Sequence, residues 1–371
     1  VNPARLAHDR ASEVCGQCHA YFVPNDESTW WKSGFATSFR PGDPLERSRT
    51  LLAPAHFRGS AARSTSNGAA GTEAHAATPF GAEAEVESAF WPDGTMRVGG
   101  REQNALAASA CYTRGAEKNR ISCLSCHSMH RSEPDDQLRA GDDVNTACRR
   151  CHGEVAKRAS EHSRHAPSSS GNSCVACHMP YTAYALFKGI RSHRIDNPSV
   201  PSAESDAAGV RPNACNLCHL DKSLAWTRAE LARRSGTVRR GVADADAPSP
   251  PQNPSSSIPY SLEVLLTGDA AERAVMAWAF GLPETRTASG DDWQAPYLAA
   301  LLDDPYSAVR FIAGRSLRSF SGYSKLDYDF LAAPERRRQA RDAVLARFPA
   351  ERSRIAALLA RQDARPVSIS E

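Results

Sequence analysis

Several things are scarce in this 371-residue chain, and each scarcity excludes something. No run of 18 or more apolar residues occurs, so no membrane-spanning helix is expected. Net charge is only +3, too small to point to nucleic acid as a partner. The opening Val1-Asn2-Pro3-Ala4-Arg5 has neither an initial Met nor a charged-then-apolar leader, and the expectation is that a leader has been removed. Cysteine and histidine are both absent after residue 219. Whatever chemistry they carry is confined to the first part of the chain.

Within that part they are plentiful, with 11 cysteines and 12 histidines. Ten cysteines form C-x-x-C pairs, and His follows each pair directly. The five are Cys15/Cys18/His19, Cys123/Cys126/His127, Cys148/Cys151/His152, Cys174/Cys177/His178 and Cys215/Cys218/His219. This spacing is that of c-type haem attachment. Two thiols about one helical turn apart reach the two vinyl groups of one porphyrin. The adjacent imidazole then serves as the proximal iron ligand. Zinc sites would combine cysteine pairs, and redox dithiols would stand alone. Neither needs His after every second Cys. Five covalent c-type haems are therefore expected, attached outside the cytoplasm in a periplasmic or otherwise extracytoplasmic compartment.

A second axial position on each iron needs a ligand. Seven histidines remain outside the motifs: His8, His56, His75, His130, His162, His165 and His193. They suffice for His–His ligation throughout, which gives lower potentials than His–Met ligation. His162 and His165 share one helical face, His193 follows His178 by fifteen residues, and His130 is placed to reach a neighbouring haem. These four lead as distal ligands. His8 and His56 compete for the fifth place, at the haem of Cys15 and Cys18. His75 lies in the Ser/Ala/Gly-rich stretch from Gly59 to Gly81, read as a surface loop. Cys111 has no partner at motif spacing. It is either a buried small hydrophobe or, on a sharper reading, a thiolate on a haem or a reactive thiol.

The organisation follows composition. Residues 1–240 are expected to form a haem domain of short helices and long loops with almost no sheet. Residues 241–259 hold four prolines before Pro259 and read as a linker. Residues 260–371 show apolar residues at helical spacing. Tyr297–Leu302, an Asp-Pro turn, and a second helix bearing Val309, Ala313 and Leu317 are preceded some 36 residues earlier by a looser copy. That period suggests a short HEAT-like α-solenoid, with a plain bundle as the alternative. The fold class is mainly α.

Local patterns carry a family resemblance. They are Arg97–Glu102 leading through Cys111 to Cys123-Leu124-Ser125-Cys126-His127-Ser128-Met129-His130; Glu161–His165 before Cys174–Pro180; Arg191-Ser192-His193-Arg194; and Pro212–Lys222 around the last motif. The sequence resembles multihaem c-type cytochromes related to the tetrahaem carrier of nitrification and to the pentahaem nitrite reductases. It is most similar to those that carry a C-terminal helical-repeat domain. The resemblance implies distal roles for His130, His162, His165 and His193. It departs from the nitrite reductases in one respect: their catalytic motif ends in Lys, and all five motifs here end in His.

Two functions from different classes follow. In the first, a chain of packed haems carries electrons between a donor and an acceptor protein, and no enzyme activity is needed. Residues 260–371 then dock a partner, for example a membrane electron-transfer complex. With propionates and ferric centres included, the net charge becomes about −2 oxidised and about −7 reduced. In the second, one haem keeps an open sixth site and acts on a small nitrogen or sulfur compound. A structural or sensing role is a third, lesser reading.

Overall fold

The fold is that of a computed structural model, which describes residues 2–34, 39–52, 88–115, 120–130, 136–200, 210–235, 258–365 and 367. His56, His75, the Gly59–Gly81 stretch and nearly all of the 241–259 linker lie outside the described residues. Among the described residues the chain is mainly helical, with two short antiparallel ribbons. No helix among the described residues is long and apolar enough to cross a membrane. It forms two compact units. One comprises Val1–Met179 with Ser192–Asp196, the other Pro180–Arg191 with Asn197–Glu371.

The first unit is built of short pieces. Helix α1 (His8–His19) ends in the first motif. Strand β1 (Phe22–Pro24) is followed by α2 (Glu27–Ser33), whose first turn is capped by Asp26, and by β2 (Arg49–Leu51). The two strands pair with Phe22 opposite Leu51. The guanidinium of Arg49, itself buried, lies 4.8 Å from the Phe22 ring centroid, a cation–π contact. Trp91 and Thr95 close a turn over Pro92-Asp93-Gly94, with Gly94 at φ 80°, where an L side chain is strained. Helices α3 (Glu102–Ala107) and α4 (Ala110–Thr113) follow. Next come α5 (Thr146–Cys151), α6 (Gly153–Lys157), α7 (Ala159–Ser163) and α8 (Cys174–His178). Among the described residues its apolar cluster is small: Leu52, Ala89, Phe90, Met96 and Ala105, with Tyr21, Val23 and Val98 against them.

The second unit opens on a hairpin, β3 (Tyr181–Ala185) with β4 (Lys188–Arg191). Its two loop residues, Leu186 and Phe187, have φ 51° and 54°, as a type I′ turn demands. Neither is Gly, so the turn is strained. Phe187 offsets this by packing edge-on to Phe311 at 5.0 Å and by accepting a hydrogen bond from Arg315. The fifth motif then leads into α9 (Leu224–Ser235). Helices α10 (Tyr260–Thr267), α11 (Ala270–Phe280) and α12 (Pro283–Ser289) come next. The rest are α13 (Ala295–Ala300), α14 (Ser307–Arg318), α15 (Pro334–Leu345) and α16 (Arg352–Leu359). The anticipated helix, Asp-Pro turn and helix is α13, its 3₁₀ extension and α14. Val309, Ala313 and Leu317 are buried as the spacing predicted.

Three arginines recur in this unit at the fourth position of a helix. Arg273 in α11, Arg310 in α14 and Arg337 in α15 each donate to the carbonyl five residues earlier, Gly268, Pro305 and Ala332. Arg273 also makes a bidentate pair with Asp304, 2.7 and 3.0 Å, with both side chains almost fully buried. At the start of α11, Asp269 and Glu272 form a reciprocal capping box.

The compact units divide the chain elsewhere than composition suggested. The fifth motif and the β3–β4 hairpin fall in the same unit as residues 260–371. The reason is packing. Leu217, inside the motif, and Leu220, just after it, are buried in one apolar cluster with Tyr260, Leu262 and the helices beyond. The backbone N–H of Tyr260 donates to the Lys222 carbonyl at 3.1 Å.

Candidate functional site

Each motif is one helical or near-helical turn, as two thiols serving one porphyrin require. The N–H groups of His127, His152 and His219 donate to the carbonyls of Cys123, Cys148 and Cys215, four residues back, at 3.0, 2.8 and 2.7 Å. The first motif is the last turn of α1, the third ends α5, and the fourth is α8. The second is a 3₁₀ turn at Cys123–Ser125. The turns are held by polar side chains. Asn145, at the start of α5, accepts from the Cys174 N–H and the Ser173 hydroxyl, both at 2.9 Å, so the third motif's helix caps the fourth's. In the second unit Asn216 is fully buried. It accepts from Thr227 at 2.7 Å and donates to the Lys222 carbonyl at 2.9 Å, fixing the fifth motif to α9. Arg149 and Arg150, within the third motif, pair with Asp143 and Asp142.

The thiols also meet across motifs. Cys15 and Cys123 hydrogen-bond to each other, which draws the Cys15 thiol down to about 7 and pushes Cys123 up. Burial pushes Cys148 up to about 11, with the Cys174 thiol in hydrogen-bond reach. Both junctions join first cysteines of two motifs. None of the eleven cysteines is paired in a disulfide. Cys111 is half-buried, and burial raises its pKa, with Cys151 close enough to add to the rise.

Histidine placement tests whether the chain fits haem. The rings of His127 and His193 are 6.1 Å apart, centroid to centroid, with planes 28° from parallel. Those of His162 and His178 are 6.2 Å apart at 12°. Rings in van der Waals stacking would be much closer. Two imidazoles on opposite sides of one iron, each nitrogen about 2 Å from the metal, have centroids about 6 Å apart. Both pairs join a motif His to a histidine expected to be distal. A porphyrin supplies the other four iron ligands. Among the described residues no group of three or more His, Cys, Asp or Glu is disposed to hold a metal ion directly. The donor set fits haem iron and does not fit a zinc site.

A hydrogen-bond partner at Nδ1 makes Nε2 the ring nitrogen that would bind a metal. His178 Nδ1 donates to the Asp196 carbonyl and His165 Nδ1 to the Ser163 carbonyl, each at 2.8 Å. The His165 ring lies so close to Gly171 that a Cβ there would come within 2.4 Å of it. His19 Nδ1 meets a side chain instead: Glu102 Oε2, at 3.0 Å. Burial pushes the Glu102 carboxyl up. The His19 hydrogen bond, the nearby His193 and backbone N–H groups, that of Gly100 among them, outweigh it and hold the carboxyl at about 2. Sequence reasoning missed Glu102, because 83 residues separate it from His19. His130 is exposed, and its N–H donates to the Ser128 hydroxyl.

His8 is the clearest departure. It begins the helix that His19 ends. Eleven residues at 1.5 Å each place the two about 16 Å apart, so His8 does not reach the iron under His19. Its ring lies 5.0 Å from Tyr112.

Residues 133–230 match the family model of cytochrome c7 and related cytochrome c. Over that stretch the chain is similar to multihaem c-type cytochromes. The matched stretch spans the third, fourth and fifth motifs, and the chemistry of that family is electron transport by covalently bound haem. An electron-transfer cytochrome requires redox partners. No curated protein and no solved structure matches the chain.

Proposed function

We propose that the chain is a pentahaem electron carrier, working outside the cytoplasm between a donor and an acceptor protein, with mostly His–His-ligated haems. The observation that carries the reading is the pairing of His127 with His193 and of His162 with His178 at the spacing of two axial ligands. Irons with both axial positions filled exchange electrons without binding substrate. The thiol junctions Cys15–Cys123 and Cys148–Cys174 support close packing of the first haem on the second and of the third on the fourth. In this reading all five motifs hold haem, through Cys15, Cys18, Cys123, Cys126, Cys148, Cys151, Cys174, Cys177, Cys215 and Cys218. His130 and His165 serve as distal ligands beside His162 and His193, and kinship lies with the nitrification and nitrite-reductase group.

Residues 260–371 are read as a short helical repeat. The arginine at the fourth position of α11, α14 and α15 supports this, because each makes the same bond to its own turn. The last pair of helices offers a docking face. Asp303 is shared by Arg337, Arg338 and Arg341 at 3.1–3.7 Å, and Glu335 and Asp342 pair with Arg338 and Arg341. Residues 334–359 still carry seven arginines against three acids, a positive excess suited to an acidic redox partner.

A pyridine haemochrome assay with low-temperature EPR tests the reading. Five haems per chain, low-spin throughout, and little carbon monoxide binding by the reduced protein are expected. The second reading, an oxidoreductase acting on a small nitrogen or sulfur compound, centres on the first haem. It is favoured by the distance of His8 from His19, which leaves His56 as the remaining ligand named for that iron. One high-spin centre with turnover of nitrite or hydroxylamine would establish it in place of the carrier.

A further inference from the structure

We infer that Glu102 is a positioning residue for the first haem: its carboxylate, bonded to His19, makes that haem harder to reduce than the fourth. The inference rests on the pentahaem reading, in which His19 is a proximal ligand. It stands on geometry. Glu102 Oε2 is 3.0 Å from His19 Nδ1, and the other oxygen, Oε1, accepts the Gly100 N–H at 2.7 Å. Both oxygens are engaged, so the carboxylate is fixed in the plane where it receives the imidazole proton. Glu102 sits in the first turn of α3, and the adjacent Arg101 donates to the Gly100 carbonyl and to the Cys18 carbonyl, tying this turn to the motif itself.

The contrast lies within the same unit. His178 gives its Nδ1–H to the neutral carbonyl of Asp196. A carboxylate acceptor draws the proton further from the ring than a carbonyl does, and the ligating nitrogen becomes a stronger donor. A stronger donor and a fixed negative charge both favour ferric over ferrous iron, and second-ligand hydrogen bonding is one of the protein's levers on haem potential. The first haem then has a lower potential than the fourth.

The test is potentiometric titration of the fully matured protein, followed optically and by EPR, on wild type, Glu102→Gln and Glu102→Asp. Glu102→Gln keeps an acceptor and removes the charge. One haem should become at least tenfold easier to reduce, about 59 mV for a one-electron couple, while the other four stay put and the haem count stays five. Glu102→Asp keeps the charge at shorter reach and should fall between. Five unchanged potentials in Glu102→Gln, at five haems, would overturn the assignment. If Glu102→Gln fails to mature, Glu102→Asp decides alone: a raised potential at one haem supports the role, and a wild-type set of potentials overturns it. A wild-type count below five defeats the pentahaem reading. It leaves the Glu102 result standing unless the haem of Cys15 and Cys18 is the one missing.

Discussion

The two units solve the problem of an interior differently. Among the described residues the second gathers thirty-two buried apolar residues into one cluster, from Tyr184 through Leu358, around a single haem motif. The first carries four motifs and has a cluster of five. A side-chain core of the second unit's kind contributes roughly 1.5–3 kcal/mol for each fully buried large aliphatic residue. The first unit has few such residues, and its motif turns are instead joined by point contacts such as Asn145 to Cys174 and Ser12 to Cys123. Four porphyrins, each large and apolar, complete that interior in the proposed reading. In that reading one unit folds around its side chains and the other around its cofactors.

Withholding haem breaks the comparison most directly. Chain produced without haem maturation should lose protection from proteolysis across residues 1–179, while residues 260–365 stay resistant and helical. Limited proteolysis with mass spectrometry and far-ultraviolet circular dichroism read this. A single cooperative transition shared by both parts in the haem-free chain would erase the distinction.

The next effect is confined to the second unit. Asp304→Ala leaves the Arg273 guanidinium buried without its carboxylate. Breaking such a pair costs about 3–5 kcal/mol. Thermal unfolding of the helical part should move down by that amount, with the optical spectrum of the first four haems unchanged. A loss under 1 kcal/mol would mean that the Gly268 carbonyl and other neighbours satisfy Arg273 alone.

Shortening the chain sharpens the boundary. A protein ending at residue 240 exposes Leu217 and Leu220 and removes Tyr260 from Lys222. The fifth haem should become labile or change its EPR signal while the other four keep theirs. Retention of all five signals would restore the boundary that composition suggests.

These experiments also show what was legible in the sequence. The motifs were, because their chemistry is local: both thiols and the imidazole lie within five residues. So was the α13–α14 pair, whose face of Val309, Ala313 and Leu317 follows from helical spacing. The mainly helical fold class was legible for the same reason. The unit boundary was not, because the partners of Leu217 and Leu220 from Tyr260 onward lie 40 or more residues on, past a Pro-rich stretch that looks like a divider. Nor was Glu102, one acid among the many that the chain carries. His193 was named as a ligand from its context, but its pairing with His127, 66 residues away, needed coordinates. His8 illustrates the converse. Its nearness in sequence to the first motif suggested a ligand, and the regularity of α1 holds it three turns away.

In the proposed reading the distal ligands act on single haems within the first unit. His193→Ala should convert the haem of His127 to high spin, and His162→Ala should do so for the haem of His178. The count stays five in each, because the thioethers are untouched. EPR near g = 6 reads one new high-spin centre per variant. An unchanged spectrum in either would separate ring spacing from ligation at that pair.

The smallest effect is expected at Cys111. It is half-buried and lies near Cys151, yet no second cysteine stands at the spacing a porphyrin needs. Cys111→Ser removes a weakly polar sulfur from a partly apolar position and adds a hydroxyl. The cost should be about 1 kcal/mol or less, as for other substitutions that leave no buried charge or cavity. The haem count, EPR spectrum and potentials should all match wild type. If the variant instead loses a low-spin signal or shifts one potential by tenfold or more in the reduction equilibrium, Cys111 touches a haem. The thiols of the first unit would then hold one more member of the cofactor-built interior than the five motifs account for.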